Sequence, residues 1–305
     1  MNAPISHTSH ASGAQKLMAH LAMIAFAALV AGSFSFGAIA APHLGPAALN
    51  AVRFVLGTSI MGGVALVMLR GRIPAPRGGW RYLVLGALMA IFFITMFIGL
   101  RIASPVSMGA VFTLMPLMAA IFGWLILGQV PRIVVVASLL LAACGALWVI
   151  FGGNLDALMA FDVGAGEAIF VGGVACHALY AVLVRRFNRG EPVVAFTFWT
   201  LGATGLCIAL WGAGEIVATD WLSVPLVVWG AIFYLAIFTT AGTFFLLQYA
   251  ALRLPASKVV AYNYLTPSFV IVYEGLLGHG WTSASVVAGA AVTVAGLVLL
   301  ALAPD

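Results

Sequence analysis

Two stretches of this chain, residues 97–130 and 249–280, carry the same landmarks about 151 positions apart. The first reads Leu100-Arg101-Ile102-Ala103-Ser104-Pro105, then Thr113-Leu114-Met115-Pro116, then Leu127-Gly128-Gln129. The second reads Leu252-Arg253-Leu254-Pro255-Ala256-Ser257, then Tyr264-Leu265-Thr266-Pro267, then Leu277-Gly278-His279. Gly145 and Gly296 keep the same offset further on. One half of the chain has been written twice, so the fold must be built from two copies of one unit, and such internal repeats are a mark of membrane transporters.

The solvent of each unit follows from what surrounds the landmarks. Hydrophobic residues make up 64% of the 305 positions, charged residues only 7%, and the mean hydropathy is +1.17. A soluble domain carries about 25% charged residues, and its surface could not absorb this much apolar side chain. The bilayer is therefore the expected partner. The net charge of +5 would suggest nucleic acid in a soluble protein, but the basic residues sit in short loops between apolar runs, so no nucleic-acid partner is expected.

Ten apolar runs are long enough to cross a ~30 Å hydrocarbon core at ~1.5 Å per residue: 17–40, 47–69, 80–100, 106–127, 133–151, 165–184, 193–212, 226–250, 258–277 and 282–301. With the N-terminus inside, eleven Lys and Arg fall on the cytoplasmic side and only Arg53 and Arg101 on the other. That asymmetry places both termini in the cytoplasm. Five crossings per unit is odd, so the second unit (153–305) must run upside down relative to the first (1–152). The expected fold is all-α, integral to the membrane, with ten transmembrane helices as two inverted five-helix repeats. Ala38-Ile39-Ala40 resembles a cleavage site, but the preceding run exceeds a signal-peptide core and its removal would strip the first repeat of a helix. Cys144, Cys176 and Cys207 all fall inside runs, where thiols act as small apolar groups, and neither a disulfide, a metal nor a cofactor is expected.

Polar residues deep in apolar runs must face a partner or a wet cavity. His177 and Tyr180 share one face of the sixth run, three residues apart. Tyr262, Asn263 and Thr266 gather just before Pro267 in the ninth; Thr243 and Gln248 lie in the eighth, Ser107 and Thr113 in the fourth, and Trp199 two turns into the seventh. These ten are the candidate substrate-binding residues, with Asn263, His177 and Tyr262 foremost. A lone polar group in such a helix commonly serves a neighbouring carbonyl instead. Pro116 and Pro267 sit mid-run at matching places, where each removes an N–H and frees a carbonyl, so both are read as hinges. Tyr, Asn and Thr offer neutral groups for a carboxylate and rings for an ammonium, and Phe92, Phe93, Phe97 and Phe112 offer an apolar pocket. Glu167 and Glu274 lie toward the outer ends of their runs, where Arg53 is expected to pair with one of them. His177 is then the deep group that titrates near neutral pH, which points to facilitated exchange or weak coupling to protons.

These motifs resemble the drug/metabolite transporter superfamily, and within it the ten-helix EamA family. The resemblance covers nearly the whole chain and is most specific in Tyr249-Ala250-Ala251-Leu252-Arg253-Leu254-Pro255-Ala256-Ser257 leading to Tyr264-Leu265-Thr266-Pro267. The sequence is most similar to the YddG-type exporters of aromatic and other neutral amino acids such as Phe, Trp, Thr and Met. The resemblance implies a basket of helices in a bacterial inner membrane, working as an efflux carrier; export of another small metabolite or drug is the alternative. The chain departs from the family pattern at Gln129 and His279, where Glu is common, and at His177, where an aromatic residue is common.

Rival classes lack their signatures. An intramembrane enzyme needs paired Asp, HExxH or a Ser/His pair in a Gly-rich setting, and none occurs in the sequence. A channel needs charge rings or a repeated filter. Ser285, Gly289 and Thr293 form a small-residue face suited to close helix contact, inside the chain or between two copies.

Overall fold

The computed structural model of the chain describes residues 13–103, 105–130, 132–151, 153–160, 164–276 and 283–302, and among these every regular element is helical. The first half contains α1 (Gly13–Ala40), α2 (Pro46–Met68), α3 (Trp80–Gly99), the pair α4 (Pro105–Phe112) and α5 (Met115–Leu127), α6 (Ile133–Ile150) and the short α7 (Leu155–Met159). The second contains α8 (Ala165–Phe187), α9 (Val193–Trp211), the short α10 (Ala213–Ala218) and α11 (Leu226–Ala236), which runs through a π-turn (Ile237–Gly242) into α12 (Thr243–Ala251). It closes with α13 (Ala256–Ala261), a 3-10 turn (Tyr262–Leu265), α14 (Thr266–Leu276) and α15 (Ala284–Leu302).

Seven segments are long and apolar enough to cross a bilayer: α1, α2, α3, α8, α9, the continuous Leu226–Ala251 and α15. Two apolar helices, α5 and most of α6, are shorter. The fourth and ninth apolar runs are each broken in two, and the prolines are the reason. Proline lacks the N–H and its ring clashes with the preceding turn, but it is welcome in the first turn of a helix. Pro116 is the second residue of α5 and Pro267 the second of α14. The expected kinks inside continuous helices are thus restarts of new helices, after a turn at Thr113–Leu114 in one case and a 3-10 turn in the other. At its far end α5 stops on Gly128 at φ +64, with Gly128 N–H bonded to Trp124 O and Gln129 N–H to Gly123 O. Such a left-handed stop suits glycine.

Small residues set the helix spacing. A Cβ on Gly145 of α6 would lie 2.6 Å from Thr293 N of α15, and one on Gly296 would lie 2.7 Å from Ala142 N. Residues 142 and 293 keep the 151-residue offset of 145 and 296, so the two contacts exchange roles across the pair. Gly86 of α3 meets Ala203 and Thr204 of α9, and Gly57 of α2 meets Thr240 of the π-turn. With no hydrophobic drive between helices in lipid, such backbone-to-backbone approach provides the dispersion contact that holds them. The small-residue face of α15 is covered within the chain: Gly289 lies against Trp148, whose Nε1 donates to Ser285 Oγ at 3.1 Å.

One end of α2 is finished by a residue distant in sequence. Glu215 of α10 accepts hydrogen bonds from Ala47 N (2.8 Å) and Ala48 N (2.9 Å), two donors of the first turn that have no acceptor within their own helix. A carboxylate is also favoured at this positive end of the helix dipole. Glu215→Ala is expected to lower stability by about 1 kcal/mol, read as a fall in melting temperature in detergent, with Glu215→Gln falling less; equal melting of all three proteins would refute the cap.

Candidate functional site

A small cavity lies among α1, α3, α4, α8 and α12. Its wall is Phe26, Val30, Ser33 and Phe34 from α1; Met89, Phe92, Phe93 and Met96 from α3; Phe112 from α4; His177 from α8; and Thr243, Phe244 and Leu247 from α12. The enclosed volume is about 30 Å³, room for about two waters. Any larger occupant of this cavity requires the surrounding helices to part. About half of the wall is aromatic: the His177 ring lies 4.4 Å from Phe92 and 5.9 Å from Phe112, and Phe170 stacks behind Phe112 at 6.4 Å. His177 is 4% exposed, and its Nδ1 has no hydrogen-bond partner among the described residues.

The structure brings some of the expected residues to this cavity and disperses others. His177 and Thr243 line it. Tyr180 stands one layer below, 6.1 Å from His177 and 5.8 Å from Phe244, and its hydroxyl accepts from Gln248 Nε2 at 2.9 Å. Gln248 Oε1 in turn accepts from Thr197 Oγ1 at 2.5 Å, which closes a buried polar chain of three residues. Asn263 is fully buried and its Nδ2 donates to Met115 Sδ at 3.1 Å, so the two helix breaks touch each other. Thr113 is buried at the first break and Thr266 just past the second, where its hydroxyl has no partner among the described residues. Tyr262 instead bonds His20 Nδ1 of α1 at 2.8 Å, a partner the sequence reading did not single out. Trp199 donates to Pro74 O at 2.9 Å and packs on Phe198, tying α9 to the segment after α2, away from the cavity wall. The side chains of Ser107 and Glu274, and all of His279, lie outside the described residues. Pro116 and Pro267 are both buried.

Arg53 does not make the ion pair with Glu167 that the sequence suggested, and the side chain of its other expected partner, Glu274, lies outside the described residues. Arg53 is fully buried, and its hydrogen-bond partners among the described residues are neutral: Nε donates to Thr240 Oγ1 at 2.5 Å, while Nη2 donates to Thr239 O and Oγ1, both at 2.9 Å. The guanidinium carbon sits 4.3 Å over the Phe93 ring. The face of α2 that Arg53 occupies points into the protein.

The profile of the EamA-like transporter family matches residues 17–151 and again residues 164–302. The chain belongs to the EamA-like transporter family. It is 26% identical over 264 residues to the uncharacterized transporter YyaM of Bacillus subtilis (strain 168), covering 85% of this chain and 86% of that one. It also superposes on a protein crystal structure with a TM-score of 0.73, at 21% identity, over 95% of this chain and 96% of the other; that likeness speaks for the fold alone. This EamA protein is thus a multi-pass membrane transporter, and its site must serve a small-molecule substrate.

In the EamA transporter the end of the bundle at the start of α3 is held by a buried ion pair. Arg81, fully buried, donates from Nη2 to Glu191 Oε1 at 2.6 Å and also reaches the carbonyls of Phe187 and Arg77. Glu191 Oε2 accepts from Arg189 N at 2.6 Å. Partial desolvation pushes the Glu191 carboxyl up, but the Arg81 side chain, the backbone N–H groups and the Arg81 charge outweigh it, and the net shift is downward. A carboxyl with a lowered value in the folded protein adds stability that is present above the ordinary glutamate value of about 4.5 and lost as pH falls through the folded one. Melting of the wild type in detergent should therefore fall steeply with acidification below that range, while Glu191→Gln should start lower and lose less. Parallel pH profiles of the two proteins would refute this role.

Proposed function

We propose that this transporter exports neutral amino acids, the aromatic ones foremost, across the bacterial inner membrane by alternating access. In this reading its ten crossings form two inverted five-helix halves, 1–152 and 153–305, with both termini in the cytoplasm and the cavity between the halves. The observation that carries the reading is the cavity wall: rings of Phe92, Phe93, Phe112 and Phe244 around His177. Aromatic faces suit an apolar side chain and attract an ammonium. The exchanged contacts of Gly145 with Thr293 and Gly296 with Ala142 support the two-fold relation of the halves. The helix restarts at Pro116 and Pro267 support a hinge role, since discontinuous helices at the repeat interface are where such carriers bind and move.

The described wall residues include no carboxylate, which supports facilitated exchange, with any proton dependence passing through His177. Purified protein in liposomes, loaded in turn with Phe, Trp, Thr and Met and with choline as control, is expected to exchange labelled phenylalanine and tryptophan by counterflow; movement of choline alone would end the amino-acid reading. Phe92→Ala is expected to raise the KM for phenylalanine about ten-fold, the equivalent of ~1.4 kcal/mol of ring contact. A pH gradient should alter the exchange rate by no more than about two-fold, with His177→Ala removing that dependence. Strong gradient-driven accumulation that survives His177→Ala would refute the histidine role.

A further inference from the structure

Two arginines of this chain are fully buried, and they are treated differently by their surroundings. Arg81 has a carboxylate in Glu191. Arg53, the eighth residue of α2 and about 10 Å along it, rests on two hydroxyls, one carbonyl and an aromatic ring, and its Nη1 is buried with no partner among the described residues. A guanidinium left without a counter-charge inside a membrane protein is costly, and residues of this kind mark substrate paths. The hydroxyls beneath it are already committed: Thr239 and Thr240 both donate to Leu235 O, so their oxygens are left to accept from Arg53. Both belong to the π-turn, an insertion that recurs at functional sites. At the 151-residue offset of the repeat, position 204 is threonine bonded to its own helix, so the arginine is not a packing element shared by both halves.

Arg53 is also one layer from the cavity by two routes. Phe93 carries the guanidinium on its ring and lines the cavity. Thr243, another wall residue, donates to Thr239 O at 2.9 Å, the same carbonyl that receives Nη2. We propose that Arg53 is the carboxylate anchor of the transport site: when the cavity opens and Phe93 leaves the guanidinium, Nη1 and Nη2 present the two parallel N–H donors that fit a carboxylate. The substrate class is then a small zwitterion or monoanion with a free carboxylate and an apolar body. This deepens the amino-acid reading and rests on it for the identity of the ligand. In the closed state the threonines of the π-turn hold the guanidinium in place of the substrate.

The test uses the full-length carrier in liposomes, with unlabelled phenylalanine, phenylalaninamide and 3-phenylpropionate competing against labelled phenylalanine. Wild type should reject the amide by at least about ten-fold relative to phenylalanine, and 3-phenylpropionate should compete. Arg53→Gln should weaken phenylalanine by at least about ten-fold while leaving the amide unchanged, so that discrimination disappears, and Arg53→Lys should restore part of it. Equal acceptance of acid and amide by the wild type overturns the proposal without any variant, as does an Arg53→Gln protein that still discriminates. Should Arg53→Gln fail to fold, the wild-type competition and Arg53→Lys decide. If the wild type exchanges no phenylalanine, the amino-acid reading falls, and ligand-induced thermal shift with 3-phenylpropionate against phenethylamine judges the anchor separately: stabilisation by the anion alone supports it, and stabilisation by the amine alone or by neither overturns it.

Discussion

Hydrocarbon offers no hydrogen bonds, so a chain that crosses it must satisfy its own backbone at every residue. This transporter obeys with helices almost throughout and departs in three places: the turn at Thr113–Leu114, the π-turn Ile237–Gly242 and the 3-10 turn Tyr262–Leu265. Their polar side chains are turned into the protein, while Leu114, Ile237 and Phe238 remain exposed. Thr113, Thr239, Thr240, Tyr262, Asn263 and Tyr264 are buried, and the first and third breaks touch through Asn263 and Met115. Irregular backbone at membrane depth is tolerated where protein or a cavity covers it, so the position of the breaks and the position of the cavity are one fact. Phe112 ends α4 just before the first break, and Thr243 opens α12 just after the π-turn; both line the cavity.

The regular helices divide into parts suited to staying together and parts suited to moving. α6 and α15 meet through Gly145, Gly289 and Gly296 at distances where an added Cβ would strike backbone. Close-packed contacts of that kind have one arrangement and resist sliding. The contacts of α1, α3, α8 and α12 beside the cavity are made largely by rings and thioethers around a space that holds about two waters, although Gly173 of α8 also lets α3 approach closely at Phe92 and Thr95. Large side chains with several rotamers can part and re-form there, and flexible methionines such as Met89 and Met96 fill gaps without fixing one geometry. A substrate entering this space would shift the balance between two arrangements of these helices only by contacts that one arrangement offers and the other does not.

Much of this was legible in the residues. The offset repeat, Pro116 and Pro267 located the breaks, and the depth of His177 and Thr243 placed both at the cavity. What escaped had no local signal. Residues apolar on every side give no indication of which face turns inward, so α2 could not reveal that Arg53 meets the threonines of the π-turn and not Glu167. A π-turn has no sequence signature in Ile237-Phe238-Thr239-Thr240-Ala241-Gly242, yet it sets the acceptors for that arginine. Tyr262 was expected at the substrate path and is bonded to His20, 242 residues away, a pairing that only the packing of α1 against the second half creates. Trp199 was read from its depth alone and serves Pro74 O.

Polarity by itself proved a poor guide to the site, and α9 shows why. Thr200 and Thr204 are both fully buried, and each hydroxyl donates to the carbonyl four residues back in its own helix. Such threonines satisfy themselves and ask nothing of a ligand. His177 Nδ1, Thr266 Oγ1 and Arg53 Nη1 are equally buried and lack a partner among the described residues. A buried polar atom without a partner is destabilising in the state that leaves it so, and a second state or a bound molecule that supplies the partner is favoured by the same amount. Unmet hydrogen-bonding capacity beside the cavity, as at His177, is therefore a sharper pointer to a ligand than any count of polar residues. It also separates the one buried guanidinium held by a carboxylate, at the α3 end, from the one held only by threonines.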